Sequence, residues 1–222
     1  MTETAGRTVL VAGATSASGL AATRALVGSG ARVIAVGRDE QRLRPLAELG
    51  ARPAVVDLTD EHATSAMAEH LRDAGERVDG ILHLVGGWRG GGGIPGQTDE
   101  DYRALEQSLT ALRHVTRAFW DDLRTAESAR VAMVSSPAVA RPLAGGANYA
   151  AVKAASEAWM RALAQGLSQT ARDAGAPLRG AAVVFRVKSL AGLEDHLADA
   201  FVDLWRAEPT AVNDTIVELA AP

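Results

Sequence analysis

Residues 9–26 read VLVAGATSASGLAATRAL, and this stretch decides the fold. It opens as an apolar, β-branched run, which favours a strand, and from Ala17 it becomes rich in alanine and leucine, which favours a helix. Between them lies a tight turn of glycine, threonine and serine. Such a turn aims backbone N–H groups and the positive end of the helix at a phosphate, and Gly13 and Gly19 let backbone approach closely. Thr15, Ser16 and Ser18 complete the turn, with Ser16 or Ser18 suited to cap the helix. Ala17 and Ser18 break a full G-x-G-x-x-G, so the turn is also readable as a plain capped helix start.

Working outward, the same alternation recurs. Short β-branched runs (ARVIAVG, RPAVVDL, VDGILHLV, ARVAMVSS, RGAAVVF, DTIVEL) separate longer amphipathic stretches. Strands alternating with helices mean βαβ units and a parallel sheet of about seven strands. Because the runs are apolar almost throughout, helices are expected on both faces, as in a Rossmann-type doubly wound fold. The 222 residues carry no internal repeat or linker and are read as one dinucleotide-binding domain, 1–222.

Composition narrows the function. Net charge is -4 and basic residues are scattered among acidic ones, so no polyanion-binding stripe exists and nucleic acid is not an expected partner. There is no cysteine, which removes disulfides and thiolate chemistry, and the five histidines lack metal-ligand spacing. The N-terminus has an early acidic residue and only a short apolar run, so the chain reads as soluble and cytoplasmic, without a membrane span.

After the second strand comes Arg38, where a site for NAD usually carries an acid on the ribose 2'-hydroxyl. A guanidinium there can pair with a 2'-phosphate, so NADP is expected over NAD. Asp57 ends the third strand and can accept from an adenine amino group, while Thr59 or Asp60 can cap the next helix. After the fourth strand the segment GGWRGGGGIPG, Gly86 to Gly96, is either a surface connection or, at the carboxyl end of a parallel strand, a ligand-facing loop that presents Trp88 or Arg89.

A third site feature is the pair Tyr149 and Lys153. At i and i+4 they share one helix face. A free tyrosine titrates near about 10, and a neighbouring ammonium is expected to pull it down, making the phenol a proton donor and acceptor. The chain has two tyrosines and only two lysines, so the spacing arises by accident in roughly one such chain in fifty. Upstream, Ser136 at the end of the fifth strand can hydrogen-bond the substrate oxygen, and Ser135 is expected to bond its own backbone.

Taken together, these motifs resemble the short-chain dehydrogenase/reductase family along nearly the whole chain. The family's T-G-x-x-x-G-x-G appears as A-G-A-T-S-A-S-G, with Ala12 for the threonine and Ala17 for the central glycine. Its aspartate falls on Asp57, its serine on Ser136, and its Y-x-x-x-K on Tyr149 and Lys153. The resemblance implies cofactor contacts at Gly13, Thr15, Ser16, Ser18, Gly19, Arg38, Asp57, Leu58, Val85, Gly86, Tyr149 and Lys153. It implies hydride transfer between nicotinamide and a small carbonyl or alcohol, with Ser136, Tyr149 and Lys153 catalytic and Trp88 beside the substrate. Lys153 would also hold the nicotinamide ribose. It further implies homodimers or homotetramers through the helices 99–124 and 148–171, the first bearing a stripe of Leu105, Leu109, Leu112, Val115 and Phe119.

The chain also departs from that pattern. The family's N-N-A-G reads His83, Leu84, Val85, Gly86; its helix asparagine, whose carbonyl holds a relay water, aligns with Ser108; its P-G reads Phe185, Arg186; and its substrate lid shrinks to VKSLAGLED. These changes keep open a second reading, a non-catalytic dinucleotide-binding or redox-sensing protein. The complete Ser-Tyr-Lys set favours the enzyme, because a sensor has no use for an acid/base pair. Neither a G-x-S-x-G hydrolase elbow nor a G-x-x-x-x-G-K phosphate loop occurs.

Overall fold

The computed structural model describes residues 4–220. The apolar run of the opening stretch forms β1 (Thr8–Ala12), buried at every position. Ser16, not Ser18, caps α1 (Ala17–Gly28): its Oγ accepts from the Gly19 backbone N–H at 3.0 Å, whereas Ser18 is buried in the helix. There follow β2 (Arg32–Gly37), α2 (Glu40–Glu48), β3 (Arg52–Val55), α3 (Glu61–Asp73), β4 (Gly80–His83), α4 (Asp99–Ala118) and α5 (Trp120–Thr125). The chain continues through β5 (Ala129–Ser135), α6 (Ala147–Asp173), β6 (Gly180–Arg186), α7 (Glu194–Asp203), α8 (Pro209–Val212) and β7 (Thr215–Glu218).

All seven expected strands form one parallel sheet in the order β3-β2-β1-β4-β5-β6-β7. The winding reverses between β1 and β4, where Ala12 pairs with His83. Beyond those two residues the crossovers leave in opposite directions, and a crevice opens at the carboxyl ends. The pleat of β1 sends Val9 and Val11 into one core with Leu26, Leu43 and Phe201, and Leu10 and Ala12 into a second with Leu112, Phe119 and Met160. Each such Leu or Phe contributes about 1.5–3 kcal/mol by leaving water.

Helices cover both faces of the sheet as expected, and the edge strands β3 and β7 are the more exposed. One expectation needs correction. The helix expected over 99–124 is two helices: Phe119 (φ -102°, ψ 11°) leaves the helical basin, and its ring is buried in the second core. The helix expected over 148–171 extends slightly, to Ala147–Asp173. Of the apolar stripe, Leu105, Leu112, Val115 and Phe119 are buried and Leu109 is half-buried, so most of it serves the chain's own core. No helix among the described residues is long and apolar enough to cross a membrane.

Candidate active site

The glycine turn closes one end of the crevice. Gly13 has φ +80°, and a Cβ on it would lie 3.0 Å from the Leu84 carbonyl carbon and the Val85 nitrogen. At Gly19 a Cβ would meet the Ala14 carbonyl oxygen at 2.3 Å. Glycine at both places lets β1, the β4 exit and the start of α1 close up into a cradle with the positive end of the helix on its rim. The residues present therefore fit a phosphate-bearing ligand.

Gly13, Thr15 and Ser16 line a cavity of about 220 Å³ together with Arg38, Asp57 and Leu58. Val85 and Gly86 form its inner wall. Ser18 and Gly19 do not line it, because both sit inside the first turn of α1, where Gly19 packs on Ala14. Arg38 is exposed, its Nη1 4.0 Å from Asp57 Oδ2. Asp57 Oδ1 accepts from both the backbone N–H (2.9 Å) and the hydroxyl (2.7 Å) of Thr59. The Thr59 N–H above all holds this carboxyl below the usual range, against burial. Only Oδ2 is left for another donor, and Asp60 rather than Thr59 caps α3. A further cation, Arg42, went unread in the sequence; it lines the same cavity and its Nη2 donates to the Thr15 carbonyl at 3.2 Å. Its i+4 spacing from Arg38 was the available signal.

Leu84, Val85 and Gly86 are shared with a second cavity, of about 280 Å³, lined by Trp88, Tyr149 and Lys153. Helical spacing stacks Tyr149, Lys153 and Glu157 on successive turns of α6. Lys153 Nζ lies 5.8 Å from the Tyr149 ring centroid and donates to the Val134 carbonyl at 2.7 Å. Burial pulls this lysine down to about 8, with the Glu157 carboxylate opposing.

The expectation that Lys153 lowers the phenol is corrected. Burial raises Tyr149, and the group that opposes is the Ser136 hydroxyl, through a hydrogen bond. The ammonium sits over the ring face and spends a proton on Val134 instead of reaching the phenol oxygen. Ser136 stays beside the phenol as expected, but Ser135 does not bond its own backbone. Ser135 is buried and donates to Glu157 Oε1 at 2.6 Å, while Ser136 Oγ takes the local backbone bond, from the Ala138 N–H at 3.2 Å.

Three of the four departures from the family pattern have a structural counterpart. Buried His83 places Nε2 3.0 Å from the Ser108 carbonyl oxygen. Ser108 returns its hydroxyl to the Leu105 carbonyl at 2.7 Å, and α4 runs through it unbroken. Phe185 is core, and Arg186 grips Glu157 through Nε (2.9 Å) and Nη2 (2.7 Å). Glu157 is a second residue that motif reading passed over.

Trp88, 66% exposed, lines the inner cavity, whereas Arg89 pairs with Asp101 at 3.2 Å and does not. The glycine segment is not loose. Gly91 N–H donates to the Gly145 carbonyl at 2.7 Å, the Asn148 N–H to Gln97 Oε1 at 3.1 Å, and Asn148 Nδ2 to the Thr98 carbonyl at 3.1 Å. No group of three or more potential metal ligands occurs among the described residues.

Comparison with known proteins agrees with this geometry. The family model for short chain dehydrogenase matches residues 7–171. Serine 3-dehydrogenase of Agrobacterium fabrum is 32% identical over 151 residues, which are 66% of this chain and 60% of that protein. A metagenomic short-chain oxidoreductase solved in complex with NADP is 25% identical, with a TM-score of 0.84 over 99% of this chain and 100% of that one. A short chain dehydrogenase from Salmonella enterica serovar Typhi, 18% identical, shares the fold at a TM-score of 0.85 over 98% and 97% of the two chains. Of three curated relatives that it matches, the chain spans 31%, 68% and 60% of the length.

Proposed function

Because this chain belongs to the short-chain dehydrogenase family, we propose that it is an NADP(H)-dependent oxidoreductase acting on a small carbonyl or alcohol, with Ser136, Tyr149 and Lys153 as its chemical groups. The observation that carries this reading is the junction of two cavities at Leu84–Gly86, one walled by the glycine turn and two arginines, the other by Tyr149 and Lys153.

In this reading Gly13, Thr15, Ser16 and the start of α1 hold the pyrophosphate, Asp57 Oδ2 and Leu58 meet the adenine, and Lys153 reaches the nicotinamide ribose. The bound cofactor supplies a hydride to the substrate carbon, or takes one from it. The phenol, kept neutral by burial, gives its proton to the carbonyl oxygen: its own O–H bond breaks and the product hydroxyl forms. The Ser136 hydroxyl, the group that opposes the upward shift of that phenol, orients the same oxygen. Trp88 forms the outer wall for the substrate. Titrating NADPH and following its oxidation with a panel of ketones, aldehydes and quinones tests the reading. Oxidation with at least one of them is expected; tight NADPH binding without turnover on the whole panel would leave the sensor reading in its place.

Arg38 and Arg42 support the preference for NADP over NAD, since a 2'-phosphate between two guanidiniums gains charge-assisted bonds worth about 1.5–3 kcal/mol each. Arg38→Ala should therefore raise the Kd for NADPH about tenfold and leave that for NADH within about twofold. Equal weakening of both in a fluorescence titration would refute the 2'-phosphate role.

The single sheet supports treating residues 1–222 as one cofactor-binding domain. An apolar hollow on the α4–α6 face, lined by Trp120, Trp159, Leu163 and Gly166, supports assembly of two copies through these helices, into a dimer or a tetramer.

A further inference from the structure

We propose, building on the role given to Lys153, that His83 is a positioning residue for that lysine: its Nδ1 accepts a hydrogen bond from the ammonium, directly or through one bound water, and keeps the lysine charged. Three observations converge on it. First, Nε2 lies 3.0 Å from the Ser108 carbonyl oxygen. A carbonyl only accepts, so Nε2 must carry the ring proton, and the neutral ring is left with a lone pair on Nδ1. Second, this Nδ1 is buried and has no hydrogen-bond partner among the described residues. A buried acceptor left unmet is costly, so the fold implies a donor for it.

Third, the cation that acts on the ring is Lys153. Burial first, then the Lys153 charge, pull the imidazole down to about 3. His83 is thus a neutral acceptor throughout the range in which the protein works. His83 pairs with Met133 across the sheet, and the next residue, Val134, already takes one Lys153 proton at 2.7 Å. A Cβ on Gly86, just past β4, would lie 3.7 Å from Lys153 Nζ and 3.8 Å from Ser108 Cβ, so the ammonium and the Ser108 turn flank the same glycine.

The other groups facing the lysine do not replace this acceptor. From its own helix come the neutral Tyr149 phenol and Glu157, and Glu157 is engaged by Arg186 of β6, Ser135 of β5 and Arg161 of α6. From the segment after β6 comes a second cation, Lys188, which lines the same cavity. A buried lysine with its one carboxylate already held gains from a neutral acceptor on the remaining side.

The test uses the full chain labelled at lysine 13Cε, in a Lys188→Arg background that leaves one lysine signal. In the parent this signal is expected to titrate at about 8. His83→Leu should lower the proton affinity of Lys153 about tenfold, whereas His83→Asn, whose amide can donate to Ser108 and accept from the lysine, should stay within about twofold. Histidine 15N spectra give an independent reading: Nε2 protonated in the parent, and an Nδ1 resonance that moves in Lys153→Met. A folded His83→Leu variant with an unchanged lysine titration would overturn the proposal, as would a protonated Nδ1 in the parent. Should His83→Leu fail to fold, the Lys153→Met spectrum decides, and an Nδ1 resonance indifferent to it is fatal. These spectra need no substrate. An intact coupling without carbonyl reduction would remove only the reductase reading, and turnover without the coupling would remove only this proposal.

Discussion

Tyr149→Phe should lower carbonyl turnover by about two to four orders of magnitude while leaving the Kd for NADPH within about twofold. The substitution keeps the ring over which Lys153 Nζ sits at 5.8 Å, so packing and the lysine stay in place and only the hydroxyl is lost. Burial raises the phenol above its ordinary value, and a raised phenol stays protonated to higher pH. As far as this group is concerned, reduction then finds its acid present across about pH 6–8 and runs flat there, while alcohol oxidation, which needs the phenolate, climbs as the medium becomes alkaline. Steady-state rates in both directions between about pH 6 and 10 check the pair of slopes. A Phe variant as active as its parent would remove the tyrosine from the chemistry.

The second large effect is on stability. Arg186→Leu should cost about 3 kcal/mol, read from urea unfolding, because it strips the main partner from a carboxylate that is 2% exposed. The value belongs at the lower end of the range for broken buried pairs, since the Arg186 side chain itself is 15% exposed and Glu157 keeps Ser135. Burial pushes the Glu157 carboxyl up, but Arg186 and Ser135 outweigh it and the net displacement is downward. A depressed acid stabilises the fold above its unfolded value and loses that contribution as pH falls. The penalty of Arg186→Leu should therefore be greatest near neutrality and shrink in acid, where the variant's carboxyl takes up a proton. Adding Glu157→Met should recover most of the loss, because a buried pair replaced by apolar groups of similar size is close to neutral. A double variant no more stable than the single one would show that Arg186 acts by packing alone.

The sheet was legible in the sequence because each strand is a β-branched run bounded by glycine or polar residues, and the helical pair because four positions bring two side chains to one face. What stayed hidden depends on register. Ser135 faces Arg186 across β5 and β6, with Glu157 of α6 closing the triangle, and no single segment records that pairing. Adjacent residues at a strand end point to opposite faces, so placing Ser136 by the tyrosine left the partner of Ser135, Glu157, unread. The break at Phe119 carries neither glycine nor proline, so no local signal marks it. Ser18 and Gly19 were read as ligand contacts because a motif lists positions, whereas only residues ahead of the first helical turn reach the cavity.

The glycine segment that carries Trp88 has a mechanical consequence. Its attachments, Gly91 to Gly145 and Gln97 to Asn148, grip the residues that lead directly into Tyr149. In the proposed reading, moving that segment away from the substrate cavity requires breaking these bonds, so opening there would act on the turn that carries Tyr149.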